Sequence, residues 1–83
     1  MIHVKVQVKL IASYRKLLPP EATGNHFEVD IQPGITVGEL LSRYGVPLSE
    51  DSVILVNGLT PDGLDQPLAE GDQIAAFSAM AGG

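Results

Sequence analysis

Phe27-Glu28-Val29-Asp30-Ile31-Gln32-Pro33-Gly34-Ile35-Thr36-Val37-Gly38-Glu39-Leu40-Leu41-Ser42-Arg43-Tyr44-Gly45 changes its hydrophobic period once, and that change decides the fold. Phe27, Val29 and Ile31 alternate with Glu28 and Asp30, the period-two pattern of a strand with one wet face. Pro33-Gly34 ends the strand. From Thr36 onward the spacing becomes helical, with Val37, Leu40, Leu41 and Tyr44 on one face. Thr36 stands three residues before Glu39, as in a capping box whose hydroxyl and carboxylate satisfy backbone N–H groups left open at a helix start. Ile35 and Leu40 can close a hydrophobic staple over it, and Gly45 followed by Pro47 supplies the stop. A strand therefore runs through one turn into the main helix.

Upstream, Ile2, Val4, Val6, Val8 and Leu10 alternate with His3, Lys5, Gln7 and Lys9, which predicts a first strand in a wide hairpin with the second. Ile11, Tyr14, Leu17 and Leu18 fit a short helical segment that Pro19-Pro20 stops, and a loop through Thr23-Gly24-Asn25 follows. Downstream, Val53-Ile54-Leu55-Val56 is a continuous apolar run of strand length and reads as a strand buried on both faces. Asn57-Gly58 and Pro61-Asp62-Gly63 are turns. Leu64 and Leu68 anchor an irregular connector, and Glu70-Gly71-Asp72 turns into a last strand from Gln73 to Phe77. Two strands, one helix and further strands call for an α+β roll of the β-grasp kind. Its mixed sheet has four to five strands, with the helix on one face.

The chain has 83 residues, enough for a single domain spanning 1–83, with a flexible tail expected over 78–83. A domain of this size buries only about 60 to 65% of its unfolded surface, which leaves no room for a deep substrate cavity and argues against an enzyme. Cysteine is absent, so disulfides, thiolate metal sites and thiol nucleophiles are excluded within the chain. The amino terminus alternates polar and apolar residues and no run reaches membrane-spanning length, which leads to the expectation of a cytoplasmic protein without membrane contact. All five basic residues, Lys5, Lys9, Arg15, Lys16 and Arg43, precede Tyr44, while Glu50, Asp51, Asp62, Asp65, Glu70 and Asp72 follow it. A C-terminal half without a cation argues against phosphate-backbone binding, so no nucleic-acid partner is expected. It suits either an acidic docking face for a basic protein or a solvated surface that maintains solubility.

The stretch Leu68-Ala69-Glu70-Gly71-Asp72-Gln73-Ile74-Ala75-Ala76-Phe77-Ser78-Ala79-Met80-Ala81-Gly82-Gly83 closely resembles the end of ThiS/MoaD-family sulfur carriers. Members of that family have a leucine before an acidic turn ending in Gly-Asp. A β-branched residue, an aromatic, a short apolar spacer and Gly-Gly follow. Leu68, Gly71-Asp72, Ile74, Phe77 and Gly82-Gly83 occupy those positions. The capped helix after Pro33-Gly34 and the Val56-Asn57-Gly58 turn extend the resemblance over most of the chain, with 11–24 matching least. Ser78-Ala79 departs from the pair of prolines in many molybdopterin-type members, whereas the long segment between the first two strands leans towards that branch.

The resemblance implies that the protein is a non-catalytic carrier and donates sulfur as a cosubstrate. An E1-like adenylating enzyme of the MoeB/ThiF type would use ATP to activate the Gly83 carboxylate. Sulfur from a donor such as a cysteine desulfurase or rhodanese would then convert it to a thiocarboxylate. A molybdopterin synthase large subunit would consume it in molybdenum cofactor biosynthesis, or a thiazole synthase in the thiamin pathway. Conjugation of Gly83 to a lysine, as by a ubiquitin-like modifier, is the further alternative. Chemically, a carboxylate is an anion and a poor electrophile at neutral pH, so activation is obligatory. Residues from Ser78 to Gly83, if extended, reach roughly 20 Å, and Ala81, Gly82 and Gly83 are slim enough to thread a narrow channel.

Phe77 suits either the core of the last strand or, with Met80, an apolar docking surface at the root of the tail. Glu39 and Asp72 read as a cap and a turn stabiliser, so no catalytic carboxylate is assigned. His3 and His26 lack ligand spacing, and no metal or stably bound cofactor is expected.

Overall fold

The computed structural model of the chain describes residues 3–49 and 51–78. Its elements are β1 (Val4–Leu10), a 3-10 helix (Ala12–Leu17), β2 (His26–Ile31), α1 (Val37–Arg43), β3 (Ser52–Val56) and β4 (Gln73–Ser78). The four strands form one sheet in the order β2-β1-β4-β3. β1 and β4 lie parallel in the middle, and both outer pairings are antiparallel. Val6, Val8 and Leu10 of β1, Phe27 and Ile31 of β2, and Ile74 and Ala76 of β4 project from one face of this sheet. They meet Val37, Leu40 and Leu41 of α1 to make the core, closed at its ends by Tyr14, Val46, Val56 and Leu68. The α+β β-grasp roll expected from the period change is the observed fold.

Helix α1 is only seven residues long, too short to persist on propensity, and both its ends are tied down. The capping box is complete: Glu39 N–H donates to Thr36 Oγ1 at 3.2 Å and Thr36 N–H to Glu39 Oε1 at 3.1 Å. At the other end Gly45, with φ of 81°, takes the left-handed conformation. Val46 N–H donates to Leu41 O and Gly45 N–H to Ser42 O, a Schellman termination. The first-turn amides of Val37 and Gly38 donate to the carbonyls of Gln66 and Leu64 at 3.0 and 2.9 Å. The connector therefore lies directly across the helix start. A Cβ on Gly38 would stand 2.9 Å from Leu64 O, which explains a glycine inside so short a helix. On the far side of α1, Tyr44 stacks at a tilt on Phe27, with ring centroids 4.9 Å apart.

Three expectations change. Val53-Ile54-Leu55-Val56 is not buried on both faces, because β4 enters between it and β1 and leaves β3 at the sheet edge. Its apolar run divides: Ile54 and Val56 face the core, while Val53 and Leu55 share the other face with their partners Phe77 and Ala75. Leu64 is 37% exposed, so of the two connector anchors only Leu68 is buried. The last strand also continues one residue past Phe77, with Ser78 paired to Ser52, so Ser78 belongs to the sheet instead of the tail.

Candidate functional site

Strand β4 starts from a turn that its own residues build. Gly71 has φ of 85°, a conformation glycine adopts without penalty, and its N–H donates to Lys5 O at 2.8 Å. The Asp72 carboxylate accepts from Ala69 N–H at 2.8 Å and from Asn57 Nδ2 at 2.9 Å. Asn57 Oδ1 in turn accepts from Gln73 N–H at 2.9 Å, and Asn57 N–H donates to Gln73 O at 2.7 Å. Asp72 thus works as the turn stabiliser that its position suggested. Asn57, itself at a positive φ of 55°, clamps that turn to the end of β3. The sequence marked Asn57 for its backbone alone; the reach of its side chain across to Asp72 depends on strand order.

The far end of β4 is equally fixed. Ile11 N–H donates to Ala76 O at 3.1 Å. Ser52, the partner of Ser78, gives its hydroxyl proton to Pro47 O at 2.6 Å and is hydrogen-bonded to the Tyr14 hydroxyl. β4 is thus paired with β1 as far as Ala76 and with β3 as far as Ser78, and brings the chain to the middle of the sheet margin.

Beside that exit lies the open face of the sheet, away from α1. Phe77 and Ala75 of β4 sit opposite Val53 and Leu55 of β3, all four half-buried and none of them in the core. Of the two roles open to Phe77, the structure places it on the surface. The parity of the strand already contained this answer, since Ile74 and Ala76 inside put Phe77 outside. Val53 and Leu55 went unrecognised as surface residues because a run of four apolar residues carries no parity of its own. Lys9 stands in register with Ala75 on one side and His26 on the other. Gln7, Lys9, His26 and Gln73 line a shallow cleft along this border. The open face is thus apolar where the chain leaves the sheet and polar and cationic next to it. Ala81, Met80, Gly82 and Gly83, the other residues assigned to the tail and its docking, lie outside the described residues.

Glu39 is occupied as the helix cap, and no group of three or more His, Cys, Asp or Glu side chains among the described residues could hold a metal ion. No helix among them is long and apolar enough to cross a membrane.

Residues 3–81 match the family model described as Mut7-C ubiquitin. Among solved structures, a putative molybdopterin converting factor subunit 1 from Pyrococcus furiosus is 27% identical, with a TM-score of 0.71 over 93% of this chain and 99% of that one. The small archaeal modifier protein SAMP1 from Haloferax volcanii is 24% identical, with a TM-score of 0.72 over 95% and 99% of the two chains. A Caldiarchaeum subterraneum ubiquitin is 17% identical, with a TM-score of 0.57 over 98% and 99%. No curated protein sequence matches at a significant level.

Proposed function

Since the chain belongs to the Mut7-C ubiquitin family, we propose that it is a ubiquitin-like sulfur carrier. Its Gly83 carboxylate is activated by a partner enzyme and leaves as a thiocarboxylate for molybdopterin synthesis. One observation carries this reading. β4 is paired with β1 as far as Ala76 and with β3 as far as Ser78, and it brings the chain out beside the Phe77, Val53 and Leu55 surface, with Gly82-Gly83 following in the sequence. The likeness to the Pyrococcus furiosus converting factor subunit supports molybdopterin as the destination.

The reading requires Gly83 to carry the carboxylate of the working protein. An E1-like adenylating enzyme binds the open face, and the spacer threads into its nucleotide site. A carboxylate oxygen attacks the α-phosphorus of ATP and expels pyrophosphate, giving an acyl adenylate that is a competent electrophile. A persulfide sulfur of the donor, a cysteine desulfurase or rhodanese, displaces AMP. A second thiol on the partner side then cleaves the acyl disulfide, leaving a thiocarboxylate on Gly83 and a disulfide on the partner. The carrier supplies no acid, base or nucleophile of its own beyond this terminus.

A second reading comes from the Haloferax volcanii neighbour, named a modifier: a lysine amine of another protein takes the activated Gly83 and forms an isopeptide. Incubation with the adenylating enzyme, ATP and a persulfide donor, followed by intact-mass measurement, tests the first reading. Replacement of one oxygen by sulfur at Gly83 is expected, and no exchange with a competent enzyme overturns it. Lysine conjugates in cells that vanish when Gly82 and Gly83 are deleted would favour the second. Supplying the purified thiocarboxylate to a molybdopterin synthase large subunit and to a thiazole synthase separates the pathways, with turnover expected in the former.

A further inference from the structure

A different surface lies on the outer edge of β3. Residues of an antiparallel strand alternate between bonding their neighbour and pointing away from it. Asn57 N–H bonds Gln73 O, so Leu55 and Val53 also turn towards β4, while Val56, Ile54 and Ser52 turn outward. Two of these three are occupied. Val56 N–H donates to Leu59 O at 2.8 Å and Leu59 N–H returns to Val56 O at 3.1 Å, while Ser52 N–H donates to Ser49 O at 3.0 Å. The backbone N–H and C=O of Ile54, between them, have no partner among the described residues.

Ile54 also lines a groove whose other apolar lining residues include Leu48, Pro61 and Leu64. Leu48 and Leu64 are 39% and 37% exposed, and Leu59, next along the edge, is 72% exposed. The groove is bordered by acid. Asp51 precedes Ser52, Asp62 lies between the lining residues Pro61 and Gly63, and Asp65 Oδ1 sits 2.8 Å from where a Cβ on Gly63 would stand. No Lys or Arg follows Arg43 in the sequence, so the segments that carry these acids bring no cation of their own to the border.

An unpaired donor and acceptor on a strand edge match the backbone of another extended strand. The apolar lining beneath them matches one alternate side chain of that strand, and the carboxylate border matches flanking cations. A second copy of this chain is a poor occupant, since it brings the same carboxylates to the same border. We propose that the β3 edge at Ile54 binds an extended segment of a partner protein, apolar at its centre and flanked by Lys or Arg, as a short added strand. The site is separate from the open face and does not depend on the chemistry at Gly83.

The test uses the full chain, labelled for amide NMR, and the acetylated peptide amide Lys-Lys-Thr-Val-Leu-Val-Thr-Lys-Lys. Saturable shifts centred on Ile54, Leu48 and Leu64, with slowed exchange of the Ile54 amide, are expected. Replacing the peptide lysines by glutamate, or introducing Leu48→Glu or Leu64→Glu on the exposed lining, is expected to weaken binding about tenfold or more. Added salt is expected to weaken it as well. The proposal is overturned by shifts centred on Phe77 and Leu55, by equal affinity for the glutamate peptide, or by no saturable shift at millimolar peptide. Concentration-dependent shifts of Ile54 without peptide would assign the edge to a second copy. Shifts of Leu48 and Leu64 on deletion of residues 79–83 would assign it to the chain's own terminus. Either result also overturns the proposal.

Discussion

The Tyr14 hydroxyl donates its proton to Ser52 Oγ. The direction is fixed because Ser52 spends its single proton on the Pro47 carbonyl, an atom that can only accept. Tyr14 is buried at 7% exposure and sits in the segment between β1 and β2, so this bond ties that insertion to the first residue of β3. Ser52 is also the partner of Ser78, which makes the contact part of the support under the point where the chain leaves β4.

Tyr14→Phe keeps the ring and removes the bond. The expected loss is about 0.5–1.5 kcal/mol, the net value of one such hydrogen bond. Chemical denaturation should show a lower midpoint with an unchanged slope, and amide exchange at Ser78 should quicken. Exchange at Ser78 equal to that of the parent would show that the tyrosine does not brace the exit.

Gly38→Ala should destabilise the protein, although alanine is the better helix former by about 1 kcal/mol. The new methyl would stand 2.9 Å from Leu64 O and 3.1 Å from Leu64 Cβ, so the connector must move and weaken the bond from Gly38 N–H. Overpacking of this kind costs about 1–3 kcal/mol, which outweighs the propensity gain. A thermal midpoint at or above that of the parent would refute the close-approach account.

Phe77→Ser and Ile74→Ala separate surface from core on one strand. Ile74 is 1% exposed inside the core, and its truncation is expected to cost about 2–5 kcal/mol. Phe77→Ser should lower stability less, because the side chain packs on the open face, yet should reduce adenylation of Gly83 by raising the KM for the carrier. Unchanged KM with the activating enzyme would remove Phe77 from the docking surface.

Tyr44 gives the stability a dependence on alkaline pH. Burial, and then the Glu21 carboxylate, push its phenol above the ordinary value of about 10, while the Arg43 cation pulls in the other direction. Between the unfolded and folded values the unfolded chain binds fewer protons, so stability present below pH of about 10 is lost as pH rises through that window. Tyr44→Phe should flatten this decline in denaturation curves recorded across the alkaline range. An identical slope in both proteins would contradict it.

The architecture was legible wherever the chain alternates or caps. Lys5, Gln7 and Lys9 gave away β1, Thr36 and Glu39 announced α1, and Gly71-Asp72 marked the turn into β4. The misplaced element was β3. A short apolar run has the same composition at a sheet centre and at an edge, and its position was decided by β4, twenty residues later, entering beside β1. For the same reason the candidate surface was only half visible: Phe77 could be named, but Val53 and Leu55 join it only through the register of β3 on β4. Asn57 was visible as a turn residue and hidden as a clamp, because its side-chain partner lies 15 positions away.

The placement of β4 between β1 and β3 also orders events in the life of each molecule. The ribosome makes this strand after all the others, and until it arrives β1 has a bare flank and β3 has no neighbour. A hairpin and a short helix alone cannot close the core, since Ile74 and Ala76 are part of it. Closure of the sheet and its core is therefore gated by synthesis of residues 73–78. A nascent or truncated chain lacking residues 73–78 would display an incomplete sheet to the cell's proteases, while a chain that has folded has already been read through Ser78.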